Sequence, residues 1–395
     1  MGGPHFSQEM QDTLAWYARM RRDEPVSHDE KSGRWRVFRY ADGLKVMQDP
    51  ATFSNDMSEF MPDVEELTAF QKGNFQNMDM PRHRELRGLV SQAFTPRFVA
   101  SLEPRIAAVT KDLLDAAEAR GGTIDVVGDL AHPLPVTVIA EVMGLPKEDH
   151  PLFRKWAYAL LVDNGVDAIR SEEGMAAMAP AVREMNTYLK ELVQKHRAAP
   201  GEGLIADLLR AETQGMRLDD QEIVGFLGLL LIAGFLTTSA LLGNAVLCLD
   251  EHPEIVDRLR KDPELLPSVV EEVLRYRSPL VWLDRRAARD TELSGHRIPK
   301  GALVSVALIS AARDGDAFPD PDVFDPDRTN HRHLSFGKGA HVCLGAPLAR
   351  LEARVALTEL LSRYREFSVE GEKVEYHDPD GLLAPTRLPL RVHKR

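Results

Sequence analysis

Apolar residues recur three or four positions apart through most of the chain, and this spacing predicts helices over residues 99–120, 175–199, 265–277 and 347–367. Alternation with a period of two is rarer. It predicts strands in GRWRVFRY (33–40), in TELSGHRIPKGALVSVALI (291–309) with a turn at Ser294 and Gly295, and in TRLPLRVH (386–393). Residues 223–249 show neither period, because none of them is charged. The run follows LDDQE, a helix-opening sequence, and stops before Pro253, so it predicts a helix over 220–251, about 48 Å long at 1.5 Å per residue. That length meets the criterion for crossing a bilayer. Against a membrane stand Thr237, Thr238, Ser239 and Asn244 inside the run and the lack of a Lys/Arg asymmetry at its ends. The reading these features favour is a helix buried on nearly every side, crossing a domain.

Pro and Gly are scattered as punctuation and there is no internal repeat, which predicts a single domain over residues 1–395, mainly α with small β-sheets to one side. A composition of 44% hydrophobic and 28% charged residues is that of a soluble globular protein. The excess of Asp+Glu (61) over Lys+Arg (49) gives a formal charge of −12, which argues against nucleic acid or an anionic membrane as partner. Two cysteines, Cys248 and Cys343, cannot build a disulfide framework, and the amino terminus lacks the basic, apolar and small-residue succession of a secretory signal, so a cytoplasmic protein is expected.

The sharpest chemistry lies in LSFGKGAHVCLGAPLARLEARVAL (334–357). Gly337, Gly339 and Gly345 surround Cys343, and a helical pattern begins at once after it. Helix-end N–H groups favour a thiolate, and glycines let a large flat ligand approach the backbone closely. A small buried hydrophobe is the plainer alternative for a lone Cys. Zinc held by His331, His333, His341 and Cys343 would need a spacing that the sequence lacks, and a phosphate loop would need Gly where Val342 stands.

The stretch FGKGAHVCLG resembles the haem-binding signature of the bacterial cytochromes P450, the haem-thiolate monooxygenases, at every defining position. The resemblance implies the triangular, mainly helical prism of that family, with haem b as cofactor. It implies Cys343 as axial iron ligand, Phe336 packed beside the sulfur, Gly345 next to it and His341 near a haem propionate. The segment DMPRHRELRGLVSQAFTPRF (79–98) is similar to the family segment in which His83 and Arg87 meet the propionates. WLDRRAARDTELSGHRIPKG (282–301) resembles the one that supplies a further propionate arginine, Arg285, with Arg286 beside it. Glu272 and Arg275 in EEVLRYR, which share a helix face, would lock the core behind the haem. IAGFLTT (232–238) resembles the helix over the oxygen-binding face, with Ala233 and Gly234 opening a groove and Thr237 holding oxygen and water. The alternative for Thr237 is a hydroxyl bonded to its own helix carbonyl.

One position departs from the family pattern: Leu236 stands where most relatives carry Asp or Glu, and leucine cannot relay a proton. This feature and the LLGN continuation are similar to macrolide hydroxylases. The expected reaction is insertion of one oxygen atom from O2 into a C–H bond of a small apolar molecule, a polyketide or macrolide-like secondary metabolite. The alternatives are a terpenoid, steroid, fatty acid or aromatic substrate, including O-demethylation, or a peroxide-driven or non-catalytic haem protein. The pocket is expected along residues 57–78 with Phe75, at Ala233 and Phe235, along 280–283 with Val281, and along 382–385 with Leu383. Expected partners are the substrate, O2, a ferredoxin docking near Lys338 and a ferredoxin reductase, with the chain itself a monomer.

Overall fold

The uncharged run forms one helix, Asp220–Glu251. A capping box fixes its start: the Glu222 N–H donates to the Asp219 carboxylate at 2.7 Å, and the Asp219 N–H donates back to Glu222 at 2.9 Å. The computed structural model describes residues 5–60, 68–121, 123–162, 172–199, 201–213, 215–371, 374–378 and 381–394. Within these, the central helix is packed by helices Thr68–Gly73, Pro133–Val142, Glu172–Ala198 and Ala346–Arg363 and by strand Leu382–Pro385. Its most apolar window is 72% buried, so its hydrophobicity is met by neighbouring protein. Burial relaxes at Ile232, Ala233, Gly234 and Thr237, midway along.

A five-stranded sheet lies to one side, in the order Val26–Asp29, Arg34–Val37, Leu303–Ala307, Trp282–Ala287, Phe53–Ser54. The alternating 291–309 segment splits into a hairpin, Thr291–Leu293 with His296–Ile298, and the central strand Leu303–Ala307. Its turn uses Ser294 at φ 46° and Gly295 at φ 81°.

Two predicted helices differ in extent. Residues 99–120 belong to Pro96–Ser101 and Glu103–Ala119, separated at Leu102, because Pro104 suits the first turn of a new helix and lacks the N–H to continue the old one. The helix that begins at Ala346 stops at Arg363, and Tyr364–Val369 becomes a strand paired with Pro389–Lys394. Helical spacing continues past Arg363, but the distant strand offers a full ladder of backbone bonds.

Behind the cysteine loop, Glu272 and Arg275 form a bidentate pair at 2.6 and 2.8 Å with both side chains almost fully buried. Arg275 also donates to the carbonyls of Ala312, Pro321 and Val323, and Glu272 accepts from the Asp325 N–H and from Arg328. A buried pair needs this many partners to offset its desolvation. It thereby holds the irregular segment that leads towards Cys343.

Candidate functional site

Cys343 lies in the loop just before helix Ala346–Arg363. Its N–H donates to the Phe336 carbonyl at 2.8 Å, closing the loop on itself, and its sulfur accepts from the N–H groups of Gly345 and Ala346. Gly339, at φ 74°, brings the loop against the backbone of Met47, where a Cβ would come within 3.0 Å of the carbonyl oxygen. At Gly345 an added Cβ would meet Sγ at 3.9 Å, an ordinary contact, so space alone does not demand glycine there. Phe336 stands next to the thiol with the Arg350 guanidinium 4.5 Å above its ring. The helix-end N–H groups pull the thiol pKa down as the sequence suggests, but burial outweighs them and raises it. A cation at the sulfur would reverse that balance.

Cys343, Phe336 and His341 line a cavity of about 710 Å³. Behind the lining residue His341 stands His83, outside the wall, with the two ring centroids 3.8 Å apart and the rings tilted by 32°. Burial pushes His83 down to about 4, with Arg87 assisting, and His341 down to about 3, with His83 assisting, so both imidazoles are neutral at pH 7. No ring nitrogen of either has a hydrogen-bond partner among the described residues. Arg87 stands one helical turn from His83, its guanidinium 5.9 Å from the Phe75 ring. Arg285 is 4% exposed and donates to the carbonyl of Asp284 at 2.7 Å, and burial lowers it to about 10. Arg286 points elsewhere, donating to the Asp56 carbonyl at 3.0 Å. Strand alternation explains the choice: adjacent arginines face opposite sides, and Arg285 faces the cavity. Buried imidazole nitrogens without partners among the described residues, with the Arg285 guanidinium and a half-enclosed thiol nearby, fit a flat metal complex bearing carboxylates, as haem is.

The opposite wall is the central helix. Ala233, Leu236 and Thr237 line the cavity, and Thr237 Oγ1 donates to the Ala233 carbonyl at 2.7 Å. That is the local helix bond of a threonine, and it leaves the hydroxyl oxygen free to accept. Gly234 serves packing: a Cβ there would come within 2.8 Å of Ile139 Cδ1 on helix Pro133–Val142, and Gly234 is outside the lining.

Four expected pocket residues lie outside the cavity wall. Phe235 is fully buried against Tyr158 and His132, Phe75 stacks on Phe226, Val281 ties its backbone to Gly381 and Leu308, and Leu383 donates its N–H to Pro279. Their neighbours Leu236, Gln76, Leu280, Trp282 and Leu382 line it instead. In a strand, one step along the chain reverses the face, and in a helix it turns the side chain by about 100°. Residues 61–67 of the expected 57–78 pocket segment lie outside the described residues.

Two features carry no motif. Met175, Met178, Val182 and Met185 project one thioether-rich face of helix Glu172–Ala198 into the cavity. Their spacing of three, four and three marks a helix face, but nothing in it marks a cavity. Arg350 is held by Glu271, which also meets His333, and so joins the cysteine helix to helix Leu266–Tyr276.

Residues 44–391 match a family model described as Cytochrome P450. The chain is 42% identical over 380 residues to the cyclomarin C epoxidase CymV of Salinispora arenicola, covering 96% of each. It is 43% identical over 383 residues to the erythromycin C-12 hydroxylase of Saccharopolyspora erythraea, covering 95% of this chain and 94% of that one. Its fold superposes on ligand-free cytochrome P450 TbtJ1 with a TM-score of 0.90 at 38% identity, covering 99% of this chain and all of the other.

Proposed function

The chain belongs to the cytochrome P450 family, and from that premise we propose that Cys343 ligates the iron of haem b in the cavity it lines, with Thr237 facing the opposite side of the ring. It is a haem-iron monooxygenase that takes O2, a small-molecule substrate and electrons from redox partners. Bound there, the haem activates O2 so that one oxygen atom enters a substrate C–H bond, with two electrons and two protons consumed per turnover.

The chain's own residues set the conditions. The N–H groups of Gly345 and Ala346 share the charge of the sulfur, and Phe336 shields it from water. His83, Arg87, Arg285 and His341 would hold the carboxylates of the haem. The apolar wall around Ala233 and Leu236 excludes bulk water. Thr237 Oγ1, donating to its helix carbonyl, accepts a proton-bearing water. Because Leu236 cannot pass protons, they arrive by ordered water alongside Thr237 or from a hydroxyl of the substrate itself. Its substrate is a secondary metabolite with a large apolar scaffold, a polyketide or macrolide; the similarity to an erythromycin hydroxylase and to a P450 named for polyketide biosynthesis supports this. The reading extends to a cytoplasmic, monomeric, single-domain enzyme fed by a ferredoxin and its reductase, docking on the cysteine-loop side near Lys338.

The observation that carries this reading is the convergence on one cavity of the half-enclosed Cys343 thiol and of His341, whose ring nitrogens have no partner among the described residues and whose ring is backed by the equally unpartnered His83. The test is the optical spectrum of the haem-loaded protein, reduced and exposed to carbon monoxide. The strongly red-shifted Soret band of thiolate ligation is expected in the wild type and absent in Cys343→Ala. A wild-type spectrum of histidine ligation would overturn the assignment.

A further inference from the structure

Asn55 follows strand Phe53–Ser54 and is 7% exposed. Its N–H donates to Asp79 Oδ1 at 2.9 Å, and the neighbouring Ser54 hydroxyl donates to Asp79 Oδ2 at 2.5 Å, so the backbone is clamped on both sides of one carboxylate. Its Nδ2 donates to the Gln76 carbonyl at 3.0 Å. That bond fixes the amide: a flip would set two carbonyl oxygens against each other. Oδ1 is therefore the free end, and it is buried without a partner among the described residues while Asn55 lines the cavity.

This atom is of the wrong kind for the cofactor. Haem carboxylates are acceptors, as Oδ1 is, so they belong to the guanidiniums and imidazoles and not to Asn55. Neither lining guanidinium has a bond to Asn55: Arg285 donates to the Asp284 carbonyl and is assigned to the haem carboxylates, and Arg34 lies 3.7 Å from the Asp284 carboxylate. The Met178 and Leu160 side of the chamber offers contact area and no direction. Oδ1 offers direction: it is satisfied only by a donor that enters with the ligand or by water that such a ligand displaces.

We propose that Asn55 is a specificity-determining residue whose Oδ1 accepts a hydrogen bond from a hydroxyl or amide N–H of the substrate, selecting donor-bearing molecules among the apolar ones that fit. The proposal rests on the cavity being the substrate chamber of a haem monooxygenase. Apolar scaffolds without a donor must strip the water from Oδ1 and leave it unpaired; scaffolds with one are bound and oriented by it.

The test uses the haem-loaded full chain and the Soret shift on titration with two ligand pairs. Corticosterone carries two hydroxyls that progesterone lacks, and erythromycin B is paired with its O-acetylated form. In the wild type the hydroxylated member of at least one pair binds about tenfold more tightly, the worth of roughly one neutral hydrogen bond to a buried acceptor. In Asn55→Leu, which keeps the number and branching of side-chain heavy atoms, that preference collapses towards one while the donor-free member binds no more weakly than before. Asn55→Ser provides the same comparison should the leucine variant fail to load haem, and the ligand pairs report on the wild type regardless. An unchanged preference in the variants overturns the proposal, as does a wild type without preference in either pair, or one that binds neither hydroxylated compound. In those cases an intact carbon monoxide spectrum leaves the monooxygenase reading standing, whereas its loss in the wild type removes both.

Discussion

The cysteine side of the cavity and its opposite roof are built on different terms. Around Cys343, position is set by directed bonds: the loop-closing bond to the Phe336 carbonyl, the N–H groups on the sulfur, and the Glu272–Arg275 pair with its five further partners and carbonyls. The roof, made of Leu160, Met175, Met178 and Val182, is set by size and apolarity alone. Directed bonds tolerate few residue types, so that side carries a motif. Undirected packing tolerates many, so the roof carries a pattern without a signature.

The largest break in this contrast comes from the sulfur. Cys343→Ala retains the fold and loses essentially all monooxygenase turnover, measured as product formed with reduced partners; substantial residual turnover would detach the chemistry from this side. Next is the buried pair. Glu272→Gln leaves Arg275 buried and short of its counter-charge and destabilises the protein by about 3–5 kcal/mol in denaturant unfolding. A change below about 1 kcal/mol would mean that the network is not what holds the cysteine side.

A smaller effect sharpens the comparison through pH. Glu352, on the helix behind the cysteine, is 2% exposed, and burial pushes it up to about 8. Between its unfolded value of about 4.5 and that raised value, the native state binds the proton and the unfolded state does not, so stability falls as pH rises across this window. Glu352→Gln removes the titration. The expected outcome is a thermal midpoint that declines from about pH 5 to about pH 8 in the wild type and is flatter in the variant. Smallest of all, Met178→Leu in the roof changes stability by less than about 1.5 kcal/mol, and its effect appears in the relative affinities of ligands of different shape. A large stability loss there would show that the roof, too, is rigidly specified.

The same contrast explains what could be read from the chain alone. The central helix was legible to its last residue because charge is absent from 223 to 249 and reappears at both ends. Cys343, His83, Arg87 and Arg285 were legible because their segments resemble those of a known family; of the four, Cys343 and Arg285 line the cavity. The cavity wall was not: Phe235, Val281, Phe75 and Leu383 each lie beside a lining residue. Locating a segment takes a pattern, whereas choosing its inward residue takes the register of the fold around it. Gly234 shows the limit from another side, since its small size answers Ile139 across a helix contact that no local pattern records. Asn55 has no motif at all, and only the combined positions of Gln76 and Asp79 reveal which end of its amide is left over.

The central helix has a cost during synthesis. Its neighbours lie on both sides of it in the sequence: Pro133–Val142 comes earlier, but Ala346–Arg363 and Leu382–Pro385 come later. As the nascent chain leaves the ribosome, this apolar rod emerges while the segments that cover its remaining surface have yet to be translated. It is then the stretch best suited to capture by chaperones and to misassembly between neighbouring chains. The yield of active enzyme from a cell is accordingly governed by how quickly the last third of the chain arrives to enclose it.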